Sequence, residues 1–375
     1  MRLIARTLFA IILIYALPFT TAAQIFTPVQ QIDLLFGGDI MQHETQLNMA
    51  RQRDGKYSFS YCFRHISDLV KSADISIVNL ETTIGKSDYS GYPSFCAPDS
   101  FLYAIKEAGF NTLLFANNHC MDKGKRGALH TLDMLDSLNF AHCGVYRNAK
   151  EREERYPLII EKKGIRIAVL NYTYSTNGRE IPAPIIVNLI DKETIARDIQ
   201  SAKEKRADAI IVCMHWGDEY VSLPSREIKE LSNWLIEQGV NHIIGNHPHV
   251  VQPLEIRESE STPDRHVVAY STGNLVSNMS LRRTDGGIMI GMRLCKILNY
   301  TRPVGVRYLL TWIAPKRNDG KRDFTIYPAA TTRITNWDYA EQKRRLFIDD
   351  SRSLFNKHNK GEITEMFIDS VVIVR

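Results

Sequence analysis

The sequence predicts an α/β fold whose sheets are covered on both faces, and three observations carry that expectation. Short, nearly continuous apolar runs rich in Ile, Val and Leu recur along the chain, as strands buried on both faces require. Segments with helical signals separate them, the alternation expected of layered α/β architecture. Polar residues of metal-ligand type then stand at the carboxyl end of run after run.

Taken in order, Ile32 to Phe36 is the first run, closed by Gly37-Gly38. An amphipathic stretch around Phe63 to Val70 precedes the second, Ile75 to Leu80. Ser100 to Ala108 carries a helical pattern that Gly109 stops, and the run Thr112 to Phe115 follows. Arg166 to Tyr172, Ala209 to Met214, Val240 to Ile244 and His266 to Tyr270 continue the series. From about residue 286 the pattern changes. Gly286 to Leu294, Val304 to Trp312 and Asp323 to Tyr327 predict strands of a meander, Tyr339 to Lys357 a charged helix, and Glu365 to Val374 a final strand. No fixed-period repeat and no Pro/Ser/Gly-rich linker divides the chain, so residues 24–375 are expected to form one domain with a mostly β closing part.

The first 23 residues read as a secretory signal peptide. Arg2 and Arg6 give a basic start, Leu8 to Pro18 an apolar stretch, and Thr21-Ala22-Ala23 the small side chains of a cleavage site. The apolar stretch is short against the roughly 20 residues of a bilayer span. The expectation is an exported protein of the periplasm or cell envelope, with no transmembrane span in the mature chain. Composition excludes other classes. With 44% hydrophobic and 24% charged residues the chain is globular rather than disordered. Its formal charge of +5 is spread among interleaved acids and bases, so no nucleic-acid partner is indicated. The cysteines, Cys62, Cys96, Cys120, Cys143, Cys213 and Cys295, form no C-x-x-C pair, which removes zinc-knuckle and thioredoxin-type chemistry. An oxidising compartment permits disulfides, but a chain of this size does not need them.

The chemistry sits at the strand ends. Asp39 follows the first run, Asn79 and Glu81 end the second, and Asn117-Asn118-His119 end the third. His215-Trp216-Gly217 end the Ala209 to Met214 run, and His247-Pro248-His249 follow Ile243-Ile244-Gly245. A single strand-end Asp or Asn is ordinarily a turn former or cap, and a lone His a satisfied core side chain. Five such groups in step with five strand ends are different. In an open α/β sheet they meet in one cleft. Carboxylate, amide and imidazole donors together suit a borderline divalent ion such as manganese, iron or zinc.

Gly38-Asp39-Ile40-Met41, Asn79-Leu80-Glu81, Ala116-Asn117-Asn118-His119, His215-Trp216-Gly217-Asp218-Glu219-Tyr220, Gly245-Asn246-His247-Pro248-His249 and Tyr270-Ser271-Thr272-Gly273-Asn274 occur in that order. On these motifs, from about Leu34 to Asn278, the chain resembles the CapA (poly-γ-glutamate capsule biosynthesis) family of the calcineurin-like metallophosphoesterase superfamily. The resemblance implies a four-layer sandwich, two packed β-sheets flanked by helices, and a site for two divalent metal ions. It places Asp39, Glu81 and His249 on one ion and Glu81, Asn118, His215 and His247 on the other, with Glu81 as the shared ligand. His119 would protonate the leaving group, oriented by Asp122. Asn79, Asn117 and Asn274 are supporting candidates. The superfamily's usual Asp-x-His is broken here, because position 41 is Met; His43 is the candidate to compensate. Glu219 and Trp216 are candidates for contacting substrate or for shaping their loop; Lys123, Lys125 and Arg126 are candidates for attracting an anion, with a solvated helix start as the plainer reading.

The function implied is that of a capsule biosynthesis or export protein with a hydrolase site for phosphate esters. Its partners would be an anionic polymer or phosphorylated envelope substrate, together with other capsule-synthesis proteins. Two alternatives remain open: a non-catalytic envelope component that binds an anionic polymer, and a metal-dependent amidase or peptidase. No G-x-S-x-G elbow is present to support a serine mechanism.

Overall fold

The computed structural model describes residues 29–258, 264–317 and 319–374. The expected signal peptide, residues 1–23, lies outside the described residues. Among those described, two large sheets pack face to face with helices on their outer sides, the four layers expected. The first sheet has nine strands and the second six.

The strand Gln30–Ile40 anchors the first sheet. Ile75–Leu80, Thr112–Leu114 and Ala141–Cys143 follow it in parallel on one side. On the other side Gly286–Ile297, Tyr300–Ile313 and Ile326–Pro328 run antiparallel in turn. The late strands therefore extend the sheet that the first strand begins. In the second sheet Ile165–Thr173, Ala209–His215, His242–Asn246 and Arg265–Ala269 are parallel neighbours, edged by antiparallel Leu158–Lys162 and Leu254–Glu258.

Period-two alternation decides which side chains face the interior of the sandwich. Ile32, Leu34 and Phe36, with Ile75 and Ile77, join the core that contains Ile167, Val169, Ile211 and Cys213 of the second sheet. Leu35, Val78 and Leu80 instead face the helices Asp99–Glu107 and Gly124–Ser137, through Phe101, Leu102, Leu132 and Leu135. Helices Lys192–Glu204 and Arg226–Glu237 cover the second sheet with Ile195, Ile199 and Leu235. Each begins at a side-chain cap: Asp191 accepts from the Thr194 N–H and Ser225 from the Ile228 N–H, occupying backbone donors that would otherwise lack partners.

Two sequence expectations need correction and a third gains detail. The final strand predicted from Glu365 to Val374 is two short strands. Thr364–Glu365 pairs with Arg307 and Tyr308, and Val372–Val374 with Arg333–Thr335. The turn-forming Asp369-Ser370 pair interrupts what its apolar neighbours suggested. The amphipathic stretch around Phe63 to Val70 takes the form of a 3₁₀ turn, Ser60–Phe63, and a short helix, Ser67–Ser72. The strand read from Asp323 to Tyr327 begins only at Ile326. The charged helix lies at Asp338–His358 and sets Phe355 edge-on to Tyr308, ring centroids 4.8 Å apart.

One irregularity positions the site. Between Phe36, opposite Ile77, and Asp39, opposite Asn79, the first strand carries one residue more than its neighbour. Without that bulge, alternation from Phe36 would turn Asp39 toward the helices. The extra residue returns it to the sheet-to-sheet interior beside Asn79. Gly38 makes the bulge possible, because a Cβ there would fall 2.0 Å from the Gly273 carbonyl oxygen. The neighbouring Asp39 N–H donates to that same oxygen at 3.0 Å.

Candidate metal centre

All six side chains expected as ligands come together, fully or almost fully buried. The first sheet supplies Asp39 from its bulge, Glu81 immediately after Ile75–Leu80, and Asn118 from the loop after Thr112–Leu114. The second sheet supplies His215, the last residue of its strand, and His247 and His249 just beyond His242–Asn246. Acids and amide thus come from one layer and imidazoles from the other, across the seam where parallel strands of both sheets end.

Glu81 lies at the middle. Its Oε1 is 3.5 Å from His215 Nε2 and 3.8 Å from His249 Nε2. Asp39 Oδ2 is 3.3 Å from His249 Nδ1, and His215 Nε2 is 2.9 Å from Asn118 Oδ1. Two triads keep their donor atoms within 4.8 Å of one another, Glu81–His247–His249 and Asp39–Glu81–His215, and Glu81 belongs to both. The arrangement is held under strain. His247 and His249 adopt left-handed φ values of 97° and 58°, which cost a non-glycine residue on the order of 1–3 kcal/mol each. The His247 N–H faces Asp39 Oδ2 at 3.3 Å, and the Pro248 carbonyl accepts from the Tyr220 N–H.

The electrostatics are those of a pocket built for a cation. Both oxygens of the fully buried Glu81 carboxyl lack a hydrogen-bond partner, as does His247 Nδ1. Burial, followed by the charges of Asp39, Glu219 and Asp122, pushes the Glu81 carboxyl well above its usual range. Burial and the neighbouring His247, His249 and His119 push His215 well below the usual imidazole value. Burial, then His249, brings His247 down to about 3. Neutral imidazoles with lone pairs, facing a carboxylate with no donor, form an acceptor-rich cavity that is costly when dry and empty of charge. A divalent ion reverses that cost, so the residues present fit one.

The supporting asparagines tie this cluster together. Asn79 donates to Asp39 Oδ1 at 2.8 Å and lies 3.3 Å from His215 Nδ1, so it orients those two. Asn117 donates to Asn79 Oδ1 and to the Leu80 carbonyl, and accepts from the His119 N–H. Asn274 Oδ1 sits 3.0 Å from His249 Nδ1, while its amide donates to the Thr284 carbonyl. His119 Nδ1 lies 2.7 Å from Asp122 Oδ2, which also accepts from the Phe95 N–H at 2.6 Å.

Other expected participants sit elsewhere. The half-buried His43 belongs to neither triad; its Nδ1 accepts from the Asn278 N–H and lies 3.2 Å from Gln46 Oε1. Met41 is buried. Trp216 packs inside the loop. It is buried and donates from Nε1 to the Tyr270 carbonyl, which shapes the loop. Glu219 is part-exposed and approaches His249 Nε2 at 4.0 Å. Lys125 reaches the Ala183 carbonyl and Arg126 pairs with Asp88, while Lys123 lines a separate groove with Lys86. Sequence reasoning missed Tyr174, whose ring lies 4.6 Å from that of His247, and Phe95, edge-on to His119 at 4.5 Å. Tyr174 directly follows the Ile165–Thr173 strand, so the strand-end rule that found the histidines reaches it too. No signal in the sequence marks Phe95. The six cysteines are unpaired and buried.

Fold and site together define a layered α/β protein with a candidate metal centre at the meeting of its two sheets. Residues 33–279 match the family described as bacterial capsule synthesis protein PGA_cap. The chain belongs to that family. Among curated relatives it is 26% identical over 280 residues to the capsule biosynthesis protein CapA of Bacillus anthracis, an alignment covering 71% of this chain and 64% of that protein. It is also 26% identical to the PGA biosynthesis protein CapA of Bacillus subtilis, over 86% of this chain and 84% of the relative. Solved structures of similar shape include the NAD nucleotidase of Haemophilus influenzae, at TM-score 0.47 and 13% identity over 89% of this chain and 57% of that one. Another is the calcineurin-like phosphoesterase YfkN of Bacillus subtilis, at TM-score 0.44 and 13% identity over 87% and 100%. These are likenesses of shape and say nothing of chemistry. Among the described residues no helix is long and apolar enough to cross a membrane.

Proposed function

We propose that this chain is an exported, metal-dependent hydrolase of the cell envelope that cleaves a phosphate ester during synthesis or export of an anionic capsule polymer. The observation that carries this reading is Glu81: a fully buried carboxylate with both oxygens unpartnered, among three imidazoles and a second acid. Asp39, Glu81, Asn118, His215, His247 and His249 would hold two divalent ions with Glu81 shared; Glu81 belongs to both triads, but these group His247 with His249 and Asp39 with His215, unlike the division that the resemblance implied. Such ions, when bound, polarise a phosphoryl oxygen and lower the pKa of water. The rest falls to the protein. Asp122 can only accept from His119 Nδ1, which fixes the proton there and leaves Nε2 to exchange a proton with the leaving oxygen. Phe95 restrains the imidazole from its edge, and burial of the centre excludes bulk water. The family match and the CapA relatives support the capsule assignment, and residues 1–23 support export.

Met41 favours a second reading. With a buried thioether where an imidazole would complete the first ion's shell, the cleft would bind an anionic polymer through its metal without turning it over. Purified full-length protein assayed with added Mn²⁺ on an aryl phosphate, alongside elemental analysis, separates the two. Hydrolysis that disappears in His119→Ala while the metal content stays unchanged supports the hydrolase. Metal retained without turnover on phosphoester and glutamyl-amide panels supports the binder, and turnover confined to the amides would replace the phosphoesterase reading with the amidase one.

A further inference from the structure

Beside the metal centre lies a second cavity, of about 280 Å³, lined by Asn278, Ser280, Asp285, Lys316, Arg322 and Lys343 among others. Arg322 is the unusual member. Its side chain is 1% exposed, yet its hydrogen bonds go only to uncharged acceptors: the Ala314 and Met279 carbonyls and Asn278 Oδ1. A buried guanidinium ordinarily has a carboxylate opposite it, because desolvating a charge without a counter-charge is costly. Lys316, exposed, and Lys343, half-buried, bring two further ammonium groups to the same walls. Asp285 is the one carboxylate among the lining residues, against three cations. It is attracted to both Arg322 and Lys343 and accepts from Trp312 Nε1 at 3.1 Å, so a single carboxylate stands against all three charges. The cavity therefore carries an excess of positive charge, with amide and hydroxyl groups beside it.

We propose that this cavity is a binding site for an oxyanion, a carboxylate or phosphate group, distinct from the metal centre. The guanidinium supplies a fixed planar donor array and the lysines mobile charge, the combination that suits carboxylate and phosphate oxygens. The cavity is also wired to the neighbouring centre. Asn278 accepts from Arg322 Nη1 through its side chain, while its backbone N–H donates to His43 Nδ1. His43 packs edge-on against Phe95 at 5.0 Å, and Phe95 in turn against His119. On the hydrolase reading proposed above, a polyanionic substrate would rest one acidic group here and present an adjoining ester on the His119 side. The site itself stands without that reading.

The test is calorimetric titration of full-length protein, dialysed free of divalent metal, with inorganic phosphate and separately with glutarate at low ionic strength. The proposal expects saturable binding of at least one probe, weakened about tenfold in Lys316→Gln/Lys343→Gln, where two charge-assisted contacts are removed. The pair Lys71→Gln/Lys229→Gln, with the same change in net charge on exposed lysines elsewhere, should bind as wild type does, and so should His247→Ala. The ratio of the two affinities then assigns the source, phosphate or carboxylate. Three outcomes overturn the site: no binding to wild type, equal loss in both lysine pairs, or loss in His247→Ala alone, which would put the anion in the metal centre. Because the titration contains neither metal nor turnover, it is independent of whether the hydrolase reading holds.

Discussion

Replacing Glu81 by Gln should make the metal-free protein more stable and the metal-loaded protein less so. Glu81 is fully buried and neither oxygen has a partner, so the folded, metal-free chain carries the desolvation cost of that group uncompensated. A buried unsatisfied polar group costs about 1–3 kcal/mol. The amide of Gln is nearly isosteric, cannot ionise beside Asp39 at any pH and can donate toward it. The substitution should therefore recover about 1–3 kcal/mol without metal, read as a rise in Tm of about 1–4 °C at roughly 1.4 °C per kcal/mol for a chain of this size. The pH dependence gives a second handle. A carboxyl whose folded value is raised keeps its proton after the unfolded chain has lost it. Its contribution is therefore fully present below the unfolded value of 4.5 and is lost as pH rises above it, at no more than about 1.4 kcal/mol per pH unit. Glu81→Gln should abolish that slope. With Mn²⁺ the sign reverses. At a free concentration one hundred times Kd, wild type gains about 2.7 kcal/mol, and most of that should vanish once the shared ligand is neutral. Scanning calorimetry of both proteins, with and without Mn²⁺, reads every arm. A variant destabilised without metal that still keeps the full metal-dependent increment would refute the reasoning, because Glu81 would then be an ordinary structural acid.

Further expectations concern the supporting structure. Asp122→Asn should leave metal content unchanged but slow any aryl-phosphate hydrolysis by about 10²-fold, since His119 loses the acceptor that sets its tautomer; unchanged kcat would count against the pair. Gly38→Ala should cost about 3 kcal/mol or more in denaturant unfolding, because the new Cβ meets a backbone oxygen that cannot move aside cheaply. His242, far from the centre, is held neutral. Burial pulls it down to about 3, and its Nδ1 accepts from the Val267 N–H. Its folded value lies below the unfolded 6.5, so the unfolded chain takes up the proton first and stability falls as pH drops from 6.5 toward about 3. His242→Gln should flatten that fall, and parallel curves for the two proteins would contradict the account.

Much of this molecule was legible in advance because burial on both faces leaves a plain mark. The runs at residues 32–36, 75–80, 166–172 and 209–214 all lie in strands, since only continuous apolar sequence survives between two packed layers. Less was legible where the chain lies at the edge. Residues 367–370 leave the sheet although Phe367 and Ile368 are apolar, between the Met366 N–H that donates to the Tyr308 carbonyl and the Val371 carbonyl that accepts from the Arg333 N–H, because an edge segment needs only one covered face. The site divides in the same way. Histidines and acids at strand ends were visible, whereas Phe95 was not, since a lone aromatic in a loop reads like any other.

The amino-acid sequence alone determined the layered fold class, the set of strand-end donors and the family kinship, because each depends on local periodicity or on short motifs of fixed order. Only the tertiary structure decided how those donors are shared. The added residue at Gly37-Gly38 turns Asp39 inward, two left-handed histidines close over Glu81, and Arg322 sits buried behind Asn278, hydrogen-bonded only to uncharged acceptors. These are relations between segments tens to hundreds of residues apart. Their energies come from register, burial and charge at close range, which no stretch of sequence contains until the two sheets have met.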